Sequence, residues 1–183
     1  MQALDLLLTR GSQPRLQAPA PEGQALENIK QAALRAPDHA CLSPWKFVVC
    51  QNEGLTRLGD VFRESALGAN KSEKDIERAP QLPFRAPMVI VAISKFIEHE
   101  KVPWVEQVAS TSCAVSAMQM AAVAQGFGGV WRTGSFARDP IVKKAFNLCE
   151  QDEIVGFLYV GSFVVKCLPK PQKDTAAFFE DWD

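Results

Sequence analysis

AMQMAAVAQGFGGVWRTG, residues 117–134, contains the end of a predicted helix and the whole of a predicted strand. Small apolar residues at helical spacing lead to Gly126, a residue type that often ends helices, so we predict a helix from about Val108 to that glycine. Valine and tryptophan favour strands, so Gly128–Thr133 is predicted to be a strand. A dinucleotide fingerprint needs a strand that leads into a helix. The order here is the reverse, which excludes a Rossmann fold.

The segments on either side predict an irregular alternation of strands and helices. Aromatic and β-branched residues predict three more strands, at Trp45–Cys50, Met88–Ile93 and Ile154–Val160. Apolar periodicity and capping residues predict helices at Met1–Thr9, from Leu26 to about Arg35, from Leu55 to about Gly68, and from Asp139 onward. This interleaving lacks regular βαβ spacing and therefore indicates an α+β fold or an irregular three-layer fold. We expect residues 1–183 to form one domain.

Composition excludes several classes of protein. The chain has 20 Lys and Arg against 21 Asp and Glu, a net charge of -1, so a nucleic-acid partner is not expected. The N-terminal apolar run is short, contains Asp5 and has no basic leader, so it does not resemble a secretory signal. The five cysteines are widely spread, without a CxxC pair, so neither disulfides nor a metal site is expected. We therefore expect a cytoplasmic protein without a membrane span.

Three segments carry candidate binding residues, and each has an ordinary structural alternative. Arg10–Arg15 offers two guanidinium groups and a hydroxyl suited to phosphate, or is a solvated basic loop. Arg35–Trp45 is either a ligand-holding loop or a connector in which Asp38 caps backbone groups. The glycines of Gly128–Gly134 let a flat ring approach the backbone, or this is a tightly packed strand with Trp131 in the core.

These segments, with FRAP at Phe84–Pro87 and APDH…PW at Ala36–Trp45, occur in the order found in the FMN-dependent nitroreductase superfamily. The sequence most resembles its YdjA-type subgroup, from Leu4 to Gly161. The resemblance implies a nitroreductase-like α+β fold, with a central mixed or antiparallel sheet flanked by helices. It also implies an intertwined homodimer with FMN in each of two interface clefts, and NADH or NADPH as co-substrate.

The resemblance also assigns site residues. The FMN contacts fall on Arg10, Gly11, Ser12, Arg35, His39, Trp131, Arg132 and Thr133. Of these, Arg35 and His39 would act across the dimer interface. The nicotinamide contact of the subgroup falls on Ala121, Ala122, Val123, Ala124, Gln125 and Gly126, and a further phosphate contact on Lys166. No catalytic side chain and no metal ligand is implied, because the flavin carries the chemistry.

The implied function is hydride transfer from NAD(P)H through FMN to a nitroaromatic or similar acceptor, by a ping-pong mechanism. Cys41 and Ser43 stand where the broader family often has amide side chains that could bind the flavin pyrimidine edge. Two alternatives therefore stay open: a flavin-binding or storage protein with little turnover, and a flavin reductase of quinones or activated alkenes. The aromatic segment Phe178–Trp182 is expected to pack on the partner subunit.

Overall fold

A computed structural model describes residues 2–165, 171 and 173–182, and within them it contains six α-helices and five strands. The helices are Ala3–Thr9 (α1), Gly23–Ala33 (α2), Glu53–Gly68 (α3), Glu73–Arg78 (α4), Trp104–Ala124 (α5) and Pro140–Ala145 (α6). The strands are Leu16–Gln17 (β1), Trp45–Gln51 (β2), Met88–Ser94 (β3), Gly128–Arg132 (β4) and Glu153–Phe163 (β5). Short 3-10 helices lie at His39–Cys41, Ala79–Gln81, Pro83–Arg85, Ser135–Arg138 and Thr175–Ala177. The predicted α+β class is confirmed.

The sheet is built around β5, which pairs antiparallel with β1, β3 and β4, while β3 also pairs antiparallel with β2. Every residue of β3 is buried, as its continuous apolar run predicts for a central strand. The sequence predicted four of these strands. The fifth, β1, was missed because only Leu16 and Gln17 pair with β5, and two residues are too few to show a period.

Helices cover both faces of the sheet. Ile29 of α2 and Met118 of α5 pack with Ile90 and Leu158 on one face. On the other face, Phe62 of α3 and Val142 of α6 pack in the core cluster that contains Val91 and Phe157. Neighbouring strand residues such as Ile90 and Val91 point to opposite faces, and this alternation gives the sheet two cores and the molecule three layers.

Helix α5 begins at Trp104, so the predicted start near Val108 was wrong. Two features of the sequence hide the true start. The first turn exposes Trp104 and Val105, whereas Gln107 is buried, which inverts the usual apolar pattern. Gln107 is satisfied by Ile97, whose N–H donates to Oε1 at 2.9 Å and whose carbonyl accepts from Nε2 at 2.7 Å. Within the described ranges, neither α5 nor any other helix has the length and apolar character needed to cross a membrane.

Large apolar side chains are exposed at the two ends of the described chain. On α1, Leu4, Leu7 and Leu8 are 64%, 61% and 74% exposed. Near the C-terminus, Phe178, Phe179 and Trp182 are 69%, 77% and 98% exposed. These six residues therefore do not contribute to the hydrophobic core of the chain.

Candidate functional site

The loop that follows α1 lies against β4. The backbone N–H of Gln13 donates to the carbonyl oxygen of Gly129 at 3.0 Å, which fixes the loop to the strand. Arg10 is half-buried and Ser12 exposed, and Nη1 of Arg10 lies 3.5 Å from Oγ of Ser12. The structure thus brings the predicted Arg10, Gly11 and Ser12 beside the strand that carries the predicted Trp131 and Arg132.

Helix α5 binds the same carbonyl group of β4. Gln119 is buried, and its Nε2 donates to the carbonyl oxygen of Gly129 at 2.8 Å. That carbonyl therefore accepts from both the loop and the helix. Sequence reasoning missed Gln13 and Gln119, although both lie in segments that it singled out, because their contacts depend on how the loop and α5 pack on β4.

The side chains of Trp131 and Arg132 leave β4 on opposite faces of the sheet. Nε1 of Trp131 donates to the carbonyl oxygen of Val155 at 3.2 Å, and its ring lies where a Cβ on Gly156 would stand. The guanidinium of Arg132 lies 5.9 Å from the centre of the Tyr159 ring, on the α3 side. Thr133 follows the strand and is exposed. A ligand on one face of the sheet could therefore contact the side chain of Trp131 or of Arg132, but not both.

These residues fit a phosphorylated, ring-bearing ligand. A guanidinium and a hydroxyl two residues apart both donate hydrogen bonds, and phosphate oxygens accept such bonds strongly. The exposed Gly134 beyond Thr133 has φ +84°, and a Cβ placed there would meet nothing within 4 Å. A flat group could therefore approach the backbone at this end of β4.

Arg35 and His39 lie in the loop after α2, which is anchored to the first half of α5. Oγ of Ser110 donates to the carbonyl oxygen of Pro37 at 2.5 Å, and Nδ1 of His39 lies 2.7 Å from Oε2 of Glu106. Both His39 and Arg35 are exposed. Glu106 was missed from sequence, since its contact with His39 depends on the packing of the loop on α5.

The same loop has a constrained backbone. Ala40, Cys41 and Ser43 adopt positive φ angles of 60°, 53° and 51°, and the N–H of Ser43 donates to Oδ2 of Asp38 at 2.7 Å. This bond is the local cap proposed for Asp38 in the structural alternative. The side chains of Cys41 and Ser43 are exposed.

The two halves of the predicted site contact α5 at different points. The His39 loop contacts α5 at Glu106, whereas β4 and the Arg10 loop meet α5 at Gln119. These contacts are thirteen positions apart, which is about 20 Å along the helix axis at the usual rise per residue. The two halves of the predicted site are therefore held at separate points along α5.

The predicted nicotinamide segment, residues 121–126, is the last turn of α5 and its C-terminal cap. Oε1 of Gln125 accepts from Asn28 at 2.8 Å, and Nε2 of Gln125 donates to the carbonyl oxygen of Ala25 at 3.1 Å. Its amide is thus used in packing against α2, while Ala124 and Gly126 are exposed. The nicotinamide contact stays a prediction. Lys166, the predicted further phosphate contact, lies outside the described residues.

A cavity of about 360 Å³ lies beside the end of β4, and it was not predicted from sequence. It is lined by Phe62, Leu82, Arg85, Arg132, Thr133, Gly134, Phe136, Phe157 and Tyr159. Burial, and then the nearby charges of Arg132 and Arg78, lower the pKa of Arg85, and burial raises the pKa of Tyr159. The FRAP motif contains Arg85 and was the sequence signal available for this cavity.

Among the residues that the structure describes, no group of three or more His, Cys, Asp or Glu side chains is placed to hold a metal ion.

Comparison with known proteins gives consistent matches over most of the chain. The sequence model of the Nitroreductase family matches residues 10–162. The chain is 51% identical over 162 residues, 88% of either chain, to a protein of Escherichia coli (strain K12) named "Putative NAD(P)H nitroreductase YdjA". Its fold is similar to that of a nitroreductase-like family protein from Bacillus cereus, with a TM-score of 0.84, 23% identity and coverage of 100% of this chain and 97% of the other. An FMN-dependent nitroreductase from Clostridium difficile R20291 has a TM-score of 0.69 at 18% identity, over 98% of this chain and 99% of the other.

Proposed function

This chain belongs to the nitroreductase family and is an oxidoreductase, and we propose that its 183 residues form a single FMN-binding domain that passes a hydride from NAD(P)H to a nitroaromatic or similar acceptor. The donor and the acceptor use one cleft in turn, in a ping-pong order. The relative with 51% identity is named as an NAD(P)H nitroreductase, and one protein of the same fold as FMN-dependent. The observation that carries the proposal is the bond from Gln13 to Gly129, because it joins the Arg10–Ser12 loop to the strand of Trp131.

FMN, when bound, supplies the hydride chemistry. Arg10 and Ser12 are the residues that would hold its phosphate, since both donate hydrogen bonds and Arg10 adds a positive charge. The backbone of Trp131, Arg132 and Thr133 would line its ring. The bonds from Gln13 and Gln119 to Gly129 keep the loop and the strand in fixed positions, so the donors need little rearrangement on binding.

Each cleft is proposed to be completed by a second copy of the chain, which contributes Arg35 and His39. The distance along α5 between the two halves of the site supports this assignment. The exposed leucines of α1 and the exposed aromatic residues near the C-terminus support a homodimer as well, because monomeric proteins rarely leave such patches in water. In the second copy, the contact of His39 Nδ1 with Glu106 leaves Nε2 available to face the cleft.

The colour of the purified protein tests the proposal. We expect a yellow protein whose visible absorbance is lost on anaerobic addition of NADH or NADPH and returns when a nitroaromatic compound is added. A yellow protein that neither reductant bleaches would instead be a flavin-binding or storage protein. A protein that takes up no added FMN would overturn the proposal.

A further inference from the structure

The cavity on the α3 side of the sheet shares Arg132 and Thr133 with the strand end proposed to line the FMN ring, but the rest of its lining has no role in the proposed function. Its volume of about 360 Å³ lies within the usual range for small-molecule sites, about 300–1,000 Å³. Three phenylalanines line it, and the rings of Phe62 and Phe136 stack with their centres 4.3 Å apart. Thr133 and Gly134 also line the cavity and are exposed, so it reaches solvent there.

Two arginines line this cavity without a counter-charge. Its lining includes Arg85 and Arg132 but no Asp or Glu. In the part of the chain that the structure describes, neither arginine forms an ion pair. Nε of Arg132 is buried and has no hydrogen-bond partner. Buried donors are nearly always paired in folded proteins, so this N–H group is available to donate a hydrogen bond to a ligand.

The surroundings of Arg85 make its positive charge unfavourable. Burial and the neighbouring Arg132 and Arg78 lower the pKa of Arg85, so the protonated form is less stable there than in water. The Tyr159 ring beside Arg132 offers a partial compensation through its π face. A bound carboxylate would neutralise the charge and accept from both guanidinium forks, a geometry that suits arginine.

We infer that this cavity is a binding site for a small aromatic carboxylate, whose carboxyl group pairs with Arg85 and Arg132 and whose ring packs among Phe62, Phe136 and Phe157. Aromatic rings favour aromatic neighbours in offset or edge-on arrangements, which selects a flat apolar body over a sugar or a peptide. Arg10 and Ser12 do not line the cavity, so the site is separate from the one proposed for the FMN phosphate. The site borders the proposed FMN ring at Arg132 and Thr133, so its test is made on protein that already holds FMN.

Calorimetric titration of the FMN-saturated protein with benzoate tests the inference, with benzamide as a neutral probe of the same shape. We expect one benzoate per chain and at least tenfold weaker binding of benzamide, because a charge-assisted hydrogen bond is lost. Arg85→Met should weaken benzoate binding at least tenfold, and Arg85→Lys should retain part of it by keeping the charge. Arg138→Met is the matched control, since Arg138 is exposed on the adjacent 3-10 helix and does not line the cavity.

Three results would overturn the inference. The first is equal benzoate affinity in the wild type and in Arg85→Met, with thermal melting showing both proteins folded. The second is equal affinity for benzoate and benzamide. The third is benzoate binding that only FMN-free protein shows, which would make the cavity a part of the flavin cleft. In the first case, an equal change of the visible flavin spectrum in both proteins would show that benzoate stacks on the flavin instead.

Discussion

Arg10 carries the largest share of the proposed cofactor contact. It is half-buried beside Ser12, whereas Arg15 in the same loop is exposed. We expect Arg10→Met to weaken FMN binding by tenfold or more, since a hydrogen bond to a charged group contributes about 1.5–3 kcal/mol. The dissociation constant, measured by quenching of FMN fluorescence, checks this. Arg15→Met is the control and should bind FMN nearly as the wild type does; an equal loss in both variants would show a general charge effect.

Asp152 predicts how the stability of the fold depends on pH. Its carboxylate is 2% exposed. Burial raises its pKa, but hydrogen bonds from Lys95 and from the backbone N–H groups of Cys149 and Phe96 outweigh burial and lower the pKa below the ordinary value. Such a group stabilises the folded state above the ordinary pKa of about 3.9, and this stabilisation is lost as the pH falls through the lowered folded-state value.

We therefore expect Asp152→Asn to reduce the free energy of unfolding by about 2 kcal/mol at pH 7, the usual contribution of hydrogen bonds to a charged group. The difference between variant and wild type should shrink as the pH falls below about 4. Urea denaturation at a series of pH values measures both quantities. A difference that stays constant down to pH 2 would contradict the role of the ionised carboxylate.

At the scale of elements, the pairing of β4 with β5 depends on the missing side chain of Gly156. A Cβ there would overlap the Trp131 ring and the carbonyl oxygen of Arg132. We expect Gly156→Ala to displace Trp131 and to destabilise the protein by at least about 2 kcal/mol, in the range of overpacked core positions. Thermal melting and the emission maximum of tryptophan report the two effects.

Gly54→Ala is the matched control for this variant. Gly54 lies in α3, and a Cβ there would meet only the Cys50 Cβ, at an ordinary 3.6 Å. Alanine favours helices more than glycine by up to about 1 kcal/mol, so this variant should melt at or above the wild-type temperature. Equal melting temperatures for Gly156→Ala and the wild type would refute the close packing of β4 on β5.

Elements with a strong local signal were predicted well. One continuous apolar run predicts the β3 strand. Asp139-Pro140 predicts the start of α6, and in the structure Oδ1 of Asp139 accepts from the N–H groups of Ile141 and Val142 at 2.9 and 3.3 Å. The start of α5 and the strand β1 were missed, because buried glutamine in one case and a two-residue pairing in the other leave no periodic pattern.

The segments of the candidate site were predicted from sequence, but most contacts between them were not. The Arg10 loop and the Trp131 strand do meet, through the bond from Gln13 to Gly129. Sequence did not reveal the contact of His39 with Glu106, or the cavity that contains Arg85. Both depend on which loops pack together, and residue type alone does not encode that.

At the scale of the whole molecule, the proposed cleft needs two chains. His39 contacts α5 at Glu106, whereas the strand that holds the Arg10 loop contacts it at Gln119, and the apolar residues of α1 and of the C-terminal segment are exposed. In the dimer we propose, the His39 loop of one copy lies at the Arg10 loop of the other, and a two-fold axis repeats this arrangement in the second cleft. Each dimer would then hold two equivalent clefts.

The FMN content of a hybrid dimer tests this claim most directly. One chain carries Arg10→Met and the other carries Arg35→Ala with His39→Ala, and the hybrid is purified through two different tags. Each parent homodimer has a defect in both clefts, whereas the hybrid has both defects in one cleft and none in the other. The account predicts that the hybrid regains about half of the wild-type FMN content, as two-fold symmetry requires. A hybrid that binds no more FMN than its parents would contradict a cleft shared between two copies.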